Sequence, residues 1–560
     1  MPTHVKRGLV LGFPLFLFFI CELGHLQSIP RLFSFIAENF AVMLFDLLII
    51  GALFAVLSLL FRRVLIAAAL EGVVFMVLSA VEYYKFTVSG THLSLADLAM
   101  TTNVGDLTQF ANLQFNAVLA VCSLLLLAYL FLLFKAKVRI NLQIKFRAVT
   151  AMAGALVLTV VIAVPDVFNP VCTVFGVENT QPAVSVNDNG FDNNNLIASL
   201  VVSANSQVAS IVKKPDGYGE QAVEALMALA GEAGSGLRPN VLFIMSESFA
   251  DFRRLSGVPV PEGTYDAFDA VAARSYVGNT VVPTFGGHTV RTEFELMFGL
   301  PVRSLNNAPI PHKLLDEDTG HETFAQLFQN MGYHTAYIHP FSSTFYDRDE
   351  FYGTYGYDQL IFEEDMTVDT DKFRAYMDDA AVFAQVGQQM AQTQGPDYLY
   401  VTTMQNHQPY LEDGKSELEV YLDGVRHSAE VLEAFVQQLD ALEEPTVLVF
   451  LGDHYPSFTA GDDVYAALPN SELEKLYDQP YLVYANYDID FSAPETVSAF
   501  YLPHLVYRAL FGQGNAFVNT VLGFMDRTPV YAVSDMQVPA NRGLDMLAYD
   551  RSIGKQYSRE

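Results

Sequence analysis

The chain has 560 residues and carries 62 Asp and Glu against 32 Lys and Arg, a formal net charge of −30. Charge of that sign and size excludes a general nucleic-acid binder, which a polyanion would have to approach against repulsion. Its three cysteines, Cys21, Cys122 and Cys172, are too few for a disulfide framework.

Five apolar runs come first: Gly8 to Leu26, Phe40 to Phe61, Val64 to Tyr84, Ala117 to Phe134 and Ala148 to Val164. Each approaches the roughly 17–25 residues that a helix needs to cross a bilayer, so residues 1–164 are expected to form a five-helix transmembrane bundle. Five such runs close together, with almost nothing similar after them, speak against buried helices of a soluble core. Lys6 and Arg7 precede the first run, Arg62 and Arg63 separate the second from the third, and Lys135, Lys137, Arg139, Lys145 and Arg147 lie between the fourth and fifth. The other loops carry only Arg31 and Lys85. Basic loops mark the cytoplasmic side of a bacterial plasma membrane, so the N-terminus is expected inside and everything beyond Val164 outside. No A-x-A-like site follows the first run, which favours a retained anchor over a cleaved signal peptide. Asp46 and Glu71 fall within the runs, and an intramembrane carboxylate is a functional suspect by default. Asp46 is expected to reach the outer interface, and Glu71 to pack against a polar partner or a lipid headgroup.

Charge divides the chain at the same place. Residues 1–164 hold 11 Lys and Arg against 7 Asp and Glu, whereas the rest holds 21 against 55. Solvation of a large exposed domain accounts for most of that excess, but an anionic substrate would need cations gathered locally at its site. Only Cys172 lies beyond residue 164, so no internal disulfide can form there.

Residues 165–239 read as a linker with helices, including a polar run from Asn187 to Asn195, an apolar helical patch from Leu196 to Val212 and a helical stretch from Tyr218 to Ala233. From Asn240 to the end, short apolar runs alternate with amphipathic ones. Val241 to Met245, His334 to Ile338, Tyr398 to Thr402, Thr446 to Leu451 and Tyr481 to Tyr487 are predicted strands; Thr323 to Met331, Ala380 to Gln394 and Val420 to Leu442 are predicted helices. That alternation implies an α/β domain with a mostly parallel central sheet flanked by helices, whose ligands bind beyond the carboxyl ends of the strands.

Polar residues stand at those ends. The first run leads into Glu247, the second into His339, the third into Asn406 and His407, and the fourth into Asp453 and His454. Each has a plain structural reading as a helix cap or a satisfied core histidine. Together they supply the oxygen and imidazole donors that suit magnesium, manganese or zinc. Between them, Gly286 and Gly287 precede Thr289, after which Val290, Phe294 and Met297 recur at helical spacing with Glu293 in the expected first turn. Thr289 is thus expected at or near an N-cap, where free backbone N–H groups and the helix dipole seat a phosphate or sulfate. On this stretch alone, a simple capping threonine explains it equally well.

NVLFIMSESF at Asn240 to Phe249, GGHTVRTEFE at Gly286 to Glu295, FYDR at Phe345 to Arg348, NHQPY at Asn406 to Tyr410 and LGDHYPS at Leu451 to Ser457 resemble the lipoteichoic acid synthase type of phosphoglycerol transferase, a membrane branch of the sulfatase and alkaline phosphatase superfamily. The resemblance covers the whole chain and implies five spans followed by an extracellular sulfatase-like catalytic domain. It implies a Thr289 nucleophile and Glu247, Asp453 and His454 as ligands that, with the threonine oxygen, hold Mn2+ or Mg2+. Arg348 and His407 match positions that contact the phosphoglycerol group. Tyr346 stands where the synthases have a tryptophan, so glycerol packs differently there. The implied reaction attacks phosphatidylglycerol, leaves glycerophosphate on Thr289 and passes it to a polymer, glycolipid or glycan acceptor, with His407 or His339 moving protons. Hydrolysis at the same site is one rival, although a type I sulfatase would need Cys or Ser in a C/S-x-P-x-R context where this chain has HTVR. Phosphoethanolamine transfer is another, but those outer domains are laced with disulfides. A non-catalytic lipid- or polymer-binding protein would be favoured by loss of Glu247, Thr289, Asp453 or His454, and all are present.

Overall fold

The computed structural model describes the chain apart from residues 90–91, 96, 98–114, 180–188, 210, 232–233, 235, 316–319, 459–463, 466–467, 533–538 and 560. It divides into two compact units, Met1–Ile211 and Val212–Glu560.

The first unit is helical: α1 (Thr3–Leu11), α2 (Phe13–Leu26), α3 (Ile29–Glu38), α4 (Phe40–Phe61), α5 (Val64–Ser89), α6 (Ala117–Ala136), α7 (Ile144–Ala163), α8 (Pro165–Phe175) and α9 (Asn189–Ala209). Four of these are long and apolar enough to cross a membrane, and the count is five if α1 and α2 form one span. Those two meet at 42°, so the first predicted run is bent rather than straight. Gly12 lies at the break and Pro14 follows, where a missing N–H and a ring that crowds the preceding turn interrupt a helix. Outward-facing positions are apolar too, with Leu48, Val77, Leu127 and Val157 all exposed, as expected of helices solvated by lipid. Asp46 is fully buried in this unit, and none of the described residues hydrogen-bonds the carboxylate of Glu71.

The second unit is α/β. Its elements are α10 (Glu220–Glu224), β1 (Asn240–Ser246), α11 (Asp266–Ala272), β2 (Tyr276–Val281), α12 (Thr289–Phe298), α13 (Phe324–Asn330), β3 (His334–Ile338), α14 (Arg348–Tyr352), β4 (Gln359–Ile361), β5 (Lys372–Phe373), β6 (Tyr376–Met377), α15 (Asp379–Gln392), β7 (Asp397–Thr402), α16 (Glu417–Asp440), β8 (Thr446–Gly452), β9 (Asp478–Ala485), β10 (Thr496–Ser498), α17 (Leu502–Phe511), α18 (Ala516–Met525) and α19 (Arg542–Ser552). Eight strands form one sheet in the order β10-β2-β9-β8-β1-β7-β3-β4. All neighbours are parallel except β9, which runs antiparallel to β8 and to β2. The central strands β1, β7 and β8 are buried along their whole length, which is why they read as unbroken apolar runs.

β2 escapes a reading by hydropathy because it is only partly buried and carries Gly278 and Asn279. Similarly, of the stretch predicted helical from Tyr218 to Ala233, the described residues are helical only over α10. Beyond it, Ala228 N donates to Thr520 Oγ1 at 2.7 Å, Gly231 N to Gln513 O at 2.7 Å and Gly234 N to Phe511 O at 2.6 Å. Backbone donors that find tertiary acceptors no longer need a helix.

Candidate active site

The parallel order of β8, β1, β7 and β3 brings four strand ends side by side. Glu247 follows β1, Asp453 and His454 follow β8, His339 follows β3, and His407 lies in the loop after β7. Glu247, Asp453 and His454 are buried and offer ligand atoms that all lie within 4.8 Å of one another.

Thr289 reaches this cluster through a turn that demands unusual backbone. Gly286 and Gly287 take φ of +69° and +149°, and His288 takes 60°. The turn is pinned where Gly286 N donates to Tyr455 O at 3.0 Å and Thr284 Oγ1 donates to Gly287 O at 2.6 Å. His288 therefore occupies the N-cap, and Thr289 is the first residue of α12. Its hydroxyl does not cap the helix. It donates to Glu247 Oε2 at 3.2 Å and lies 3.5 Å from His454 Nε2. One turn further along, Thr292 Oγ1 donates to Asp453 O at 2.9 Å and docks the helix on the end of β8.

The tautomer of His454 follows from its neighbours. Nδ1 lies 2.8 Å from Tyr455 O and must donate to it, so in the neutral form that binds a cation Nε2 presents a lone pair. That lone pair faces Asp453 Oδ2 at 3.1 Å and Glu247 Oε1 at 3.8 Å. Acceptors gathered at such distances become favourable when a cation sits among them. Asp453 Oδ1 is held by the backbone N–H groups of Ser248 (2.7 Å) and His454 (2.9 Å), which leaves Oδ2 for that purpose. Burial, and then the negative charge of Asp453, push the Glu247 carboxyl well above its ordinary range, and burial raises Asp453 as well. The donor set, two carboxylates and an imidazole, fits a divalent cation.

Beside this cluster lies a second, fully paired one. Arg348 donates from Nε to Glu293 Oε2 at 3.2 Å and from Nη2 to Glu293 Oε1 at 3.3 Å. Glu293 also accepts from Tyr337 (2.9 Å), Thr402 (2.7 Å) and Tyr352. Burial alone would raise its pKa, but Arg348, His339 and the hydroxyls outweigh it and hold the carboxyl at about 2. Glu293 is therefore not the first-turn acid that the sequence suggested: α12 begins at Thr289 with no acidic residue in its first turn, and Glu293 is fully buried. Tyr346 lies beside Arg348, whose guanidinium carbon is 5.3 Å from the ring centroid, and its carbonyl lies 2.8 Å from His312 Nε2.

His339 Nδ1 lies 3.0 Å from Thr402 O, and Nε2 is buried with no hydrogen-bond partner among the described residues. Burial, then Arg348, pull its pKa to about 3, so the ring stays neutral and Nε2 is an acceptor awaiting a donor. His407 Nδ1 lies 2.7 Å from Gln408 O, and burial pulls its pKa to about 4.

Four residues of the site were given no part in its chemistry by the sequence reading. Ser248, at φ 51°, turns its N–H onto Asp453; Glu293 neutralises Arg348; Arg374 and Tyr376 stand in the β5–β6 hairpin beside the His407 loop. Only Ser248 and Glu293 belong to stretches singled out for chemistry. Gly452, the last residue of β8, is a further one: a Cβ there would stand 1.9 Å from the carbonyl oxygen of Phe249. Gly452→Ala is accordingly expected to shift Asp453 and weaken divalent-metal binding by about tenfold or more, measured by titration of the purified protein.

Residues 239–512 match the family model described as Sulfatase. Over 406 residues the chain is 25% identical to a Rhizobium meliloti protein named for cyclic beta-1,2-glucan modification, an alignment that covers 65% of this chain and 62% of that protein. It is 26% identical over 242 residues to the lipoteichoic acid synthase of Staphylococcus saprophyticus, covering 40% of this chain and 36% of that one. The chain thus spans less than two thirds of the length of either relative. The Streptococcus pyogenes phosphoglycerol transferase GacH, solved in complex with sn-glycerol-1-phosphate, superposes with a TM-score of 0.53 over 62% of this chain and 97% of that one, at 17% identity, which shows a shared fold. Strand order, the buried carboxylate and histidine cluster at the strand ends and the match over residues 239–512 together give the second unit of this chain a sulfatase-like fold, carried behind four to five apolar helices.

Proposed function

We propose that the protein is a membrane-anchored phosphoglycerol transferase that moves glycerophosphate from phosphatidylglycerol to a cell-envelope glycan or polymer through a covalent intermediate on Thr289. The observation that carries this reading is the Thr289 hydroxyl, which is spent on Glu247 and His454 and not on its own helix. Glu247, Asp453, His454 and the Thr289 oxygen are the groups that would hold a divalent cation, Mn2+ or Mg2+. Such a cation supplies positive charge that acidifies the threonine hydroxyl and offsets charge on the phosphoryl oxygens.

In the first step a bond forms between Thr289 Oγ1 and phosphorus, and the bond from phosphorus to the diacylglycerol oxygen breaks. The proton that leaves Thr289 balances the one that diacylglycerol takes up. In the second step an acceptor hydroxyl oxygen bonds to phosphorus, the bond to Thr289 breaks, and a proton returns to the threonine. The positive end of the α12 dipole, where Thr289 stands, stabilises the phosphoryl oxygens. His339 Nε2, a neutral acceptor, suits a glycerol or acceptor hydroxyl, and His407, in the loop after β7, is the second histidine for proton movement. Apolar helices keep the domain at the leaflet that contains the lipid donor, with the domain outside and the N-terminus inside by the distribution of Lys and Arg. The likeness to a protein named for glucan modification supports a glycan as the acceptor class.

Intact-mass spectrometry of the full chain after incubation with phosphatidylglycerol and manganese tests this. A glycerophosphate adduct that maps to Thr289, with diacylglycerol released and both lost on chelation, is the expected result. No adduct and no diacylglycerol would remove phosphatidylglycerol as the donor.

A further inference from the structure

The hairpin formed by β5 and β6 lies against the loop that carries His407, and Arg374 stands at its turn with φ 56°, a conformation that residues other than glycine rarely adopt. Its Nη1 donates to Pro409 O at 3.1 Å and its Nη2 to Gln405 O at 3.1 Å, so the guanidinium grips the backbone on both sides of His407. It also lies 5.3 Å from the ring centroid of Tyr410. Two residues on, Tyr376 donates to Gln408 O and its hydroxyl lies 3.1 Å from His407 Nδ1.

What sets Arg374 apart is its charge. Arg348 is neutralised by Glu293, whereas no ion pair joins Arg374 to any carboxylate among the described residues, and its Nε is buried without a hydrogen-bond partner. Among the described residues, two of its five N–H groups are used. Burial pulls its pKa below the ordinary arginine value, as befits a charge short of counterions. A largely desolvated cation without a paired anion is unfavourable, and the surrounding domain, so rich in acidic groups elsewhere, places only the carboxylate of Glu412 within electrostatic range and does not pair it with Arg374. A planar guanidinium with free donors matches phosphate oxygens better than any other anion in an envelope lipid or polymer.

We propose that Arg374 is the anion-recognising group of a second subsite beside His407, which takes a phosphate of the substrate. This rests on the phosphoglycerol reading above and deepens it: the phosphate belongs either to the lipid donor or to an acceptor that already carries one.

The test uses the manganese-loaded full chain in detergent, with sn-glycerol 1-phosphate as the anionic probe and glycerol as the neutral one. Arg374→Gln is expected to weaken sn-glycerol 1-phosphate at least tenfold and to flatten its salt dependence, with glycerol unaffected and Arg374→Lys recovering a large part. A rise in KM for phosphatidylglycerol in diacylglycerol release without acceptor assigns the phosphate to the donor. A loss confined to transfer onto a phosphate-bearing glucan, relative to a neutral one, assigns it to the acceptor. Unchanged binding of sn-glycerol 1-phosphate by Arg374→Gln overturns the proposal, as does an equal loss of both probes in the Gln and Lys variants, which would make Arg374 only a prop for the His407 loop. The wild-type adduct on Thr289 separates the two readings: its absence removes the phosphoglycerol assignment, and its presence with unaltered binding in Arg374→Gln removes the subsite alone.

Discussion

Thr289→Ala is expected to lower glycerophosphate transfer by about 10^3-fold or more while the protein remains folded and still takes up its divalent ion. The argument separates chemistry from packing. Thr289 is 7% exposed at the first position of α12, so alanine removes a hydroxyl and a methyl group without disturbing the turn, which Gly286, Tyr455 and Thr284 hold. Glu247, Asp453 and His454 keep their mutual positions, because Asp453 is fixed by backbone N–H groups and His454 by Tyr455 O. Thr289→Ser restores the oxygen and should restore much of the rate. A metal titration and a thermal melt close to wild type, beside the lost transfer, would assign the loss to the nucleophile. A Thr289→Ala protein that transfers at half the wild-type rate would end the covalent mechanism.

The second large effect is on stability. Replacing Glu293 by Ala is expected to cost about 3–5 kcal/mol, because it strands the fully buried Arg348 charge and the hydroxyls of Tyr337, Tyr352 and Thr402. Glu293→Ala combined with Arg348→Met should recover part of that loss, since no unpaired charge remains. The pair also sets a pH dependence. Glu293 titrates at about 2 in the fold against 4.5 when free, so its folded pKa is depressed. Its contribution, ~3 kcal/mol, is complete above pH 4.5 and disappears as the pH falls from there towards 2. Melts of the full chain followed by tyrosine near-UV circular dichroism should show that acid slope in the wild type and a flatter one in Glu293→Gln. An unchanged slope would mean that other carboxylates govern acid unfolding.

The sheet was legible because its central strands are buried on both faces and therefore apolar throughout, and the residues just beyond them announced the site. Glu247, Asp453 and His454 could be placed together from topology alone, since parallel neighbours end on the same edge. β2 and β4 were not legible: they are short or half-exposed, and their place is set by neighbours far away in the chain. The role of Glu293 was hidden for a related reason. Helical periodicity tells which face a residue occupies only when the apolar stripe is clean, and α12 is buried on all sides, charged residues included. Arg374 gave no signal because its meaning lies in what it lacks, and a missing counterion can be recognised only in three dimensions.

The order of strands in the sheet also bears on how the protein is made. β1 is flanked by β7 and β8, so its edges stay open until segments far downstream arrive; the hydrogen bond from Ser248 to Asp453 alone joins residues 205 apart. At roughly 5–20 residues per second of synthesis, that interval is about 10–40 s, during which a strand of Val, Leu, Phe and Ile waits without partners. Parallel pairings of this range are slow to close even once the chain is complete. Newly made protein therefore passes through a vulnerable period in which β1 is a target for aggregation or a chaperone, and Glu247, Asp453 and His454 come within reach of each other only at its end.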